Sequence, residues 1–597
     1  MENTNFAKWD ITTIYSGLED PNIENDKVTL KQNIEKLAPF TTKIKDCTIS
    51  SCELNESFEI CEDVSRNIRK LFAFSMLNKD TKLKDSTAQA FFQSQQLFIN
   101  DITIGHSQFF NSLKKMDEDS FDKLLNDKEI SKWKNLLTSI SKGRKLTLND
   151  EEEKVIHSFS PYAGGAWSRF YDEIESRMDF GTLEIDGKEV KLTESKIKAL
   201  MSHPDQNTRM ALKNRRLETY KEQNPFFSYT YKNVIGCYQT DLSKLRKADH
   251  VMTSSSLNQE VTPQDIENLF DVSHKNVALF RKYHSLKKKL LNLDEYTYAD
   301  FGAPLSDKKI NVPYDQAKKW LLDSLVEFSP EYAQLAQDIF AQNKVDTLPM
   351  DGKQSGAYCM GTGEHGSYIL MSYQDDYDSM FTLAHEMGHA VHQSLYADAQ
   401  SPLYHGCTLV SAETASQLNE LILLDYLLDH DELSDEDKIL VLDEQIGSLV
   451  SVLFRQTMIS EFEFKCHKES LSKALSSDDI NKIWYDLVIA RNADTIKTPE
   501  LEKYAWSIIP HMFHVPFYCW TYSMSMLVVL ALFQKYRQDK EGFLPGYLEL
   551  LKAGGSAELS DLLKDHLDLD IHDPEFLQSG FDFVSEYVDE LETLVKK

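Results

Sequence analysis

Residues 385–389 read HEMGH, with two histidines four positions apart and a glutamate directly after the first. On an α-helix, positions i and i+4 share one face, so the imidazoles of His385 and His389 can reach a single metal ion. Glu386 is rotated about 100° from His385, which suits a general base acting on a water beside the metal. We therefore expect zinc-dependent hydrolysis, in which the ion polarises a water and Glu386 takes its proton.

The residues around this motif argue against a chance occurrence on a solvated helix. Phe381, Leu383, Met387 and Val391 give the segment a largely apolar surface, which predicts a buried helix. A buried His-Glu-His cluster needs partners for its polar groups, and a metal ion would supply one. The pattern therefore favours one Zn²⁺ per chain.

A catalytic zinc needs a third protein ligand and an open fourth position. The extended pattern HExxHxxGxxH would require glycine at 392 and histidine at 395, but His392 and Leu395 stand there, so that arrangement is excluded. On spacing alone His392, His405 and Asp398 stay open as third ligands. We expect His392 to support a ligand or to contact substrate.

The better third ligand lies downstream, in SAETASQLNELILLDYLL, which has the pattern of a second helix. Glu413 and Glu420 are seven residues apart, two helical turns, with Gln417 on the same face between them. We expect Glu413 to bind the metal, while Glu420 or Gln417 orients a ligand histidine.

Composition predicts the fold class. The chain has 597 residues, 41% of them hydrophobic, with only 22 Gly and 16 Pro, which favours a mainly α protein with at least two lobes. We expect an N-terminal helical region over 1–195, with a hairpin at 183–193 around Asp186-Gly187, and a catalytic domain over 196–597.

Local signals refine this picture. Helical spacing runs from about 25 to 160, and capping patterns at 262–265 and 434–437 predict helix starts, the second helix reaching about residue 470. Residues 350–375, rich in Gly, Ser and Tyr, predict two short strands joined by the loop 361–366, beside the HEMGH helix.

Charge and targeting signals restrict the partners. A formal charge of −30 and a pI of about 5.0 disfavour nucleic acid and anionic membranes. The N-terminus has no secretory signal, and the apolar run 524–533 spans about half a bilayer, so it predicts a core helix. Eight scattered cysteines without a CxxC pair indicate reduced thiols. We expect a cytoplasmic protein.

Several of these segments together resemble the oligoendopeptidase F branch of the thimet-oligopeptidase-like zinc metallopeptidases. They are the HEMGH helix, VSAETASQLNE at 410–420, Gly-Ala-Tyr-Cys at 356–359, Trp-Asp at 9–10, DFGAPL at 300–305 and IPHMFHVPFYCWTYS at 509–523. The resemblance covers nearly the whole chain. It implies that Glu413 is the third zinc ligand.

The resemblance also implies how substrate is held. Gly356, Ala357 and Tyr358 match a segment expected to form an edge strand that pairs with the substrate backbone. The expected fold is two helical lobes flanking a deep channel with the zinc at its floor. Such a channel admits short unfolded peptides, which implies an endopeptidase acting on oligopeptides.

The C-terminal match implies donors for the oxyanion that forms on the attacked amide. His511, His514, Tyr518 and Tyr522 occupy the matching positions, and Tyr522 is the best candidate. An aromatic core helix is the alternative interpretation of each of these residues. The chain departs from the family pattern at Trp520, which affects the expected substrate contacts but not the zinc chemistry.

Three alternatives stay open at this point. A carboxypeptidase or dipeptidyl carboxypeptidase would need a fixed cation for the substrate carboxylate. A catalytically silent peptide-binding protein would have no use for Glu386. A structural zinc site would have four protein ligands and no adjacent free carboxylate.

Overall fold

Helices dominate the chain, as the low glycine and proline content predicts. The computed structural model describes residues 6–306, 308, 310–430 and 432–596. The α-helices, α1 to α24 in chain order, span Pro21–Lys45, Ser51–Asp80, Ser86–Lys115, Glu118–Leu125, Lys134–Arg144, Asp150–Phe159, Gly164–Ser176, Glu194–Leu200, Gln206–Gln239, Thr253–Leu257, Pro263–Lys275, Val277–Leu290, Tyr314–Phe328, Pro330–Ala341, Tyr377–Ala399, Leu409–Asp429, Asp435–Val450, Thr457–Ser470, Ser477–Asn492, His511–His514, Trp520–Gln538, Lys540–Ala553, Leu559–Leu567 and Pro574–Lys596.

Short strands and tighter or wider helical turns complete the structure. The strands, β1 to β5, span Thr182–Ile185, Lys188–Lys191, Val345–Asp346, Tyr358–Gly361 and Ser367–Leu370. The 3₁₀ segments are Lys128–Trp133, Ser160–Tyr162, Pro402–Tyr404, Ala493–Thr495 and Glu500–Ile508, and the π-helical segments are Thr240–Leu245 and Ser451–Gln456. The mainly α fold class is confirmed.

The chain divides into two compact units, each built from three separate segments. The first unit contains Met1–Thr147, Ile310–Glu432 and Leu532–Asp570, and the second contains Leu148–Lys309, Leu433–Ala531 and Ile571–Lys597. The boundary expected at residue 195 coincides with no limit of either unit. The expected channel between lobes stays a prediction.

The first unit carries the HEMGH motif and a three-stranded sheet. The sheet order is β3-β5-β4, with β5 parallel to β3 and antiparallel to β4. Tyr358 pairs with Leu370 and Gly361 with Ser367, which confirms the two strands expected in this segment. The sequence analysis did not predict β3, which has only two residues and lies before this segment.

The second unit contains the β1–β2 hairpin and a large aromatic core. The hairpin turns at Asp186-Gly187, where both residues have positive φ, as a two-residue turn of this type requires. Its core gathers Tyr171, Tyr231 and Trp506 with the helices around them. Helix α21 belongs to this unit up to Ala531, and its positions 524–533 are buried except for the half-buried Met526, in agreement with the expected core helix.

Capping chemistry fixes the helix starts that the sequence indicates. Thr262 and Asp265 form a reciprocal capping box at α11, and the Ser434 side chain accepts from the Asp437 backbone N–H at α17. The helix that begins there reaches Ser470, as expected. It passes through a π-helical segment, Ser451–Gln456, that periodicity alone did not predict.

No described helix combines the length and the apolar composition that crossing a bilayer requires.

Candidate active site

Two neighbouring helices of the first unit, α15 and α16, carry the predicted metal ligands. Asp376 caps α15 by accepting from the Ser379 N–H, and Thr408 caps α16 by accepting from the Ser411 N–H. Most of the residues around the HEMGH motif are buried, as the apolar flanks predict. The two helices pack closely along their length.

A glycine inside the motif permits this close approach. A Cβ on Gly388 would lie 2.6 Å from the Cα of Ser416 and 2.7 Å from the carbonyl carbon of Ala415, closer than side chains tolerate. A buried hydrogen bond from the Asn419 amide to the Ala384 carbonyl, 3.2 Å long, joins the same two helices. Gly388 and Asn419 therefore set the spacing between the histidine pair and the acidic face of α16.

The side chains of His385, His389 and Glu413 meet across this helix pair. Their ligand atoms all lie within 4.8 Å of one another, and within the described ranges no other group of three histidines, cysteines or acids meets this condition. Glu413 Oε2 is 3.5 Å from His385 Nε2 and 3.9 Å from His389 Nε2. Two ligands at about 2.0–2.1 Å from a tetrahedral zinc are about 3.4 Å apart, so this donor set fits the ion.

Glu420, rather than Gln417, contacts a ligand histidine. Its Oε1 lies 2.6 Å from His385 Nδ1, which leaves Nε2 directed to the Glu413 side of the site. The Gln417 side-chain oxygen is buried with no hydrogen-bond partner among the described residues. A carboxylate on the far ring nitrogen fixes the tautomer and orientation that a zinc-binding imidazole needs.

The surroundings of the two histidines shift their pKa values in opposite directions. Burial lowers the pKa of His385, but the hydrogen bond and charge of Glu420, with Glu413 and Glu386, outweigh it and raise that pKa. Burial and the charge of His385 lower the pKa of His389, which favours its neutral form. Neutral imidazole is the form that binds a metal.

Glu386 lies beside this cluster and is almost fully buried, with 7% of its surface exposed. Burial raises its pKa to about 7, His385 opposes that rise, and Glu413 and Glu420 add to it. A carboxylate with a pKa near neutrality can both accept and return a proton at physiological pH.

The rival third ligands do not join the cluster. His392 is buried with its Nε2 lacking a partner in the described structure, and burial lowers its pKa to about 3. His405 contacts the Gln400 carbonyl through Nε2 at 3.0 Å. Asp398 is exposed. Of the candidates left open by spacing, only Glu413 meets the histidine pair.

The small sheet lies next to the HEMGH helix, as expected. Strand β4, which contains Tyr358, pairs with β5 on one side only in the described structure, so it is an edge strand. Gly356 and Ala357 precede it, and Gly356 has a φ of +84° that favours glycine. The Tyr358 hydroxyl donates to Asp80 at 2.8 Å, which anchors the strand.

In the second unit, three of the four predicted oxyanion donors form one aromatic cluster. The rings of His511 and Tyr518 are stacked 5.8 Å apart, and Tyr522 meets both edge-on at 6.1 and 5.3 Å. All three are half-buried. Burial lowers the pKa of His511, which favours a neutral imidazole.

His514 is directed elsewhere. Its Nδ1 lies 2.8 Å from the Pro510 carbonyl and its Nε2 3.0 Å from a carboxylate oxygen of Asp172. Burial lowers the pKa of His514, but the Pro510 carbonyl and Asp172 together raise it by more, so the net shift is upward. His514 is therefore held in a local ion pair.

The segment between these residues is held in an unusual backbone conformation. Phe517 is buried and has a φ of +60°, a region that bulky residues rarely adopt. Its N–H donates to a side-chain oxygen of the buried Glu463 at 3.0 Å, and its carbonyl accepts from Ser255 at 2.7 Å. These bonds stabilise the turn that precedes Tyr518 and Tyr522.

Sequence reasoning missed the residues that set the spacing of the metal ligands and that hold the turn before Tyr518. Gly388 could have been found from the small residue inside HEMGH, since helices that cross closely need glycine at the contact. Asn419 and Glu463 gave no such signal, because their partners Ala384 and Phe517 are 35 and 54 positions away.

Comparison with known proteins identifies the family of the chain. A family model described as Peptidase family M3 matches residues 199–581, and one described as Oligopeptidase F matches residues 113–180. The chain is 26% identical to Group B oligopeptidase PepB of Streptococcus agalactiae, covering 99% of this chain and 97% of that protein. It is also 26% identical to Oligopeptidase PepF of Bacillus subtilis, covering 99% and 87%.

Solved structures share the fold. A crystal structure from Chlamydophila abortus superposes with a TM-score of 0.88 at 24% identity, covering 98% of both chains. Oligoendopeptidase-F from Enterococcus faecium gives a TM-score of 0.70 at 20% identity, covering 96% of this chain and 99% of that one. The M3 model spans well over half of the residues, which confirms the resemblance and the expected metalloendopeptidase class. The chain belongs to Peptidase family M3.

Proposed function

We propose that this chain is a zinc-dependent endopeptidase that hydrolyses internal bonds of short unfolded peptides. The observation that carries the proposal is the meeting of His385, His389 and Glu413 across α15 and α16, with Glu386 buried beside them. Three protein donors leave a fourth position for water or substrate, which is typical of a catalytic rather than a structural zinc.

The metal, when bound, would supply Lewis-acid activation of a water and of the scissile carbonyl. Glu386 accepts the proton of the attacking water at a carboxylate oxygen and passes it to the departing amine. Glu420 holds the His385 ring through Nδ1 during the reaction. The assignment of Tyr522 as donor to the oxyanion rests on the family resemblance, with His511 and Tyr518 as its neighbours.

The relatives and the edge strand support the proposed substrate class. The relatives described above are named oligopeptidases. Among the described residues β4 pairs with a strand on one side only, so its outer edge can pair with an extended peptide. We place the enzyme in the cytoplasm, with oligopeptides rather than nucleic acids or membranes as partners.

A peptide-library digest tests the proposal. End-blocked peptides are incubated with the full chain, with chelator, and with chelator followed by Zn²⁺, and the products are read by mass spectrometry. We expect internal cleavage that chelation abolishes and zinc restores. Cleavage at the same rate with and without chelator would contradict the metal mechanism. Removal of C-terminal residues alone from unblocked peptides would favour the carboxypeptidase alternative.

A further inference from the structure

The second unit contains a cavity of about 340 Å³ with an unusual wall. Aromatic side chains, Phe280, Phe301 and Trp484, form its apolar part. Cationic side chains of Arg455, Arg491, Lys213 and Arg216 also line it, and they outnumber the one carboxylate in the wall, Glu502. None of these residues belongs to the metal site proposed above.

The cations differ in how they are neutralised. Arg216 binds Glu194, and Lys213 lies 3.7 Å from Glu502. Neither Arg455 nor Arg491 has a carboxylate within 4.0 Å in the part of the chain that the structure describes. This is unexpected in a chain with 95 acidic and 65 basic residues, where acidic partners are abundant.

Arg491 is fixed against the apolar wall. Its guanidinium lies 4.9 Å from the Phe280 ring and 5.8 Å from the Phe301 ring, and Nε donates to Asn492 at 3.0 Å. The stacked, oriented guanidinium is pre-organised for a ligand that combines a negative charge with an apolar body.

Arg455, whose side chain lines the cavity, belongs to the π-helical segment Ser451–Gln456. Such segments interrupt regular helices and are often found at functional sites. Each extra residue that a π-helical turn contains rotates the side chains after it by about 100° around the helix axis, compared with a regular α-helix.

The positive charges of the cavity wall repel one another. Burial, with the charge of Arg216, lowers the pKa of Arg455, and burial with the charge of Arg455 lowers the pKa of Arg491 to about 10, while the Glu502 carboxylate opposes both shifts without cancelling them. An anion between them would offset both effects. The charge of Arg455 also contributes to the lowered pKa of His511, a member of the aromatic cluster of 511–522.

We propose that this cavity binds a carboxylate carried by an apolar group, with Arg455 and Arg491 as its anion-binding residues. The carboxylate can come from the C-terminus of a peptide with an apolar last side chain, or from a free organic acid. The peptide source rests on the function proposed above, whereas the free-acid source does not. Arginine donates two parallel hydrogen bonds to a carboxylate, which gives both affinity and orientation.

The test compares one peptide in two forms. A fluorescein-labelled nonapeptide ending in Leu is prepared as the free acid and as the C-terminal amide. Its binding to the full chain carrying Glu386→Gln is followed by fluorescence anisotropy. Mass spectrometry confirms that the peptide stays intact. We expect the acid to bind about 10–100-fold more tightly than the amide, the range for charge-assisted hydrogen bonds. Arg455→Gln should reduce the ratio to below about 3-fold, and Arg455→Lys should keep part of it.

Control variants and free acids complete the design. Arg177→Gln changes a surface arginine paired with Glu173 outside the cavity and should leave the ratio unchanged. Arg491→Gln provides a second cavity variant, and thermal unfolding checks that each variant is folded. 3-Phenylpropionate and sulfate are titrated by calorimetry as free anions, and we expect Arg455-dependent binding of the first that exceeds that of the second about 10-fold, because sulfate cannot use the apolar wall.

The outcomes separate the sources. An acid–amide difference that depends on Arg455 supports the peptide source, and Arg455-dependent binding of 3-phenylpropionate alone supports the free-acid source. Equal affinities for both peptides together with no binding of 3-phenylpropionate would overturn the proposal, as would discrimination that survives Arg455→Gln or sulfate binding as tightly as the organic acid. If the wild-type chain shows no zinc-dependent hydrolysis, the proposed function is refuted, but these binding measurements still test the cavity.

Discussion

The spacing between α15 and α16 makes the metal site depend on a residue that carries no functional group. Gly388→Ala places a Cβ 2.6 Å from the Cα of Ser416 and also against the carbonyl oxygen of Ala415. Ordinary contact begins near 3.4 Å, so the helices must separate by at least about 0.8 Å. Both obstacles are backbone atoms, which cannot rotate away as a side chain could.

That separation is large on the scale of the site. Glu413 Oε2 now lies 3.5 and 3.9 Å from the two histidine nitrogens. Two zinc ligands can be at most about 4.2 Å apart, twice a bond of about 2.1 Å, and a tetrahedral pair is closer. A shift of this size takes Glu413 to or beyond that limit. We therefore expect zinc affinity to fall at least 10–100-fold, the range for lost supporting contacts, and the fold to lose about 1–3 kcal/mol.

The assay is a competition titration of metal-free protein against a chromophoric zinc chelator, with thermal unfolding measured in parallel. Gly143→Ala is the matched control, since Gly143 lies in α5 and a Cβ added there would meet nothing within 4 Å. That control should keep its zinc affinity and should not lose stability. Zinc affinity of Gly388→Ala within 2-fold of the wild type would refute the reasoning about helix spacing.

Three further predictions concern catalysis and stability. Glu386→Gln should keep zinc but lower kcat by about 10²–10⁴-fold, measured by steady-state peptide cleavage and metal analysis, and wild-type turnover would refute the base assignment. Tyr522→Phe should lower kcat by about 10²–10³-fold with little change in KM, and a smaller effect than that of Tyr518→Phe would move the donor role. Glu463 is fully buried, and burial raises its pKa to about 8, so the folded state retains a proton that the unfolded state releases above about pH 4.5. Stability should therefore fall by up to about 1.4 kcal/mol per pH unit between pH 4.5 and 8, and Glu463→Gln should remove this contribution; unfolding curves with the same pH slope in both proteins would contradict it.

Local sequence signals predicted the elements that rest on local chemistry. The HEMGH spacing indicates a helix with one functional face because the α-helical period places i and i+4 together. Asp186-Gly187 predicts a hairpin since both positions tolerate positive φ, and Thr262 with Asp265 predicts a helix start through reciprocal caps. Each of these inferences needs only neighbours within a few residues.

Features that depend on distant partners were beyond such signals. Spacing left His405 and Asp398 open as ligands because it cannot show which helix face turns toward α15. The tie between His514 and Asp172 joins residues 342 positions apart, so periodicity gave no sign of it. The cationic cavity likewise gathers Lys213, Arg455 and Arg491 from three distant segments, and its π-helical wall deviates from the regular period on which sequence reasoning relies.

The central claim is that His385, His389 and Glu413 together hold one zinc ion with an open fourth position. Anomalous diffraction from zinc-soaked crystals, recorded on both sides of the zinc absorption edge, tests it most directly. We predict one peak per chain, about 2.0–2.2 Å from His385 Nε2, His389 Nε2 and a Glu413 oxygen, with no fourth protein side chain bound. A peak at another site, or a fourth side chain completing the coordination, would contradict it.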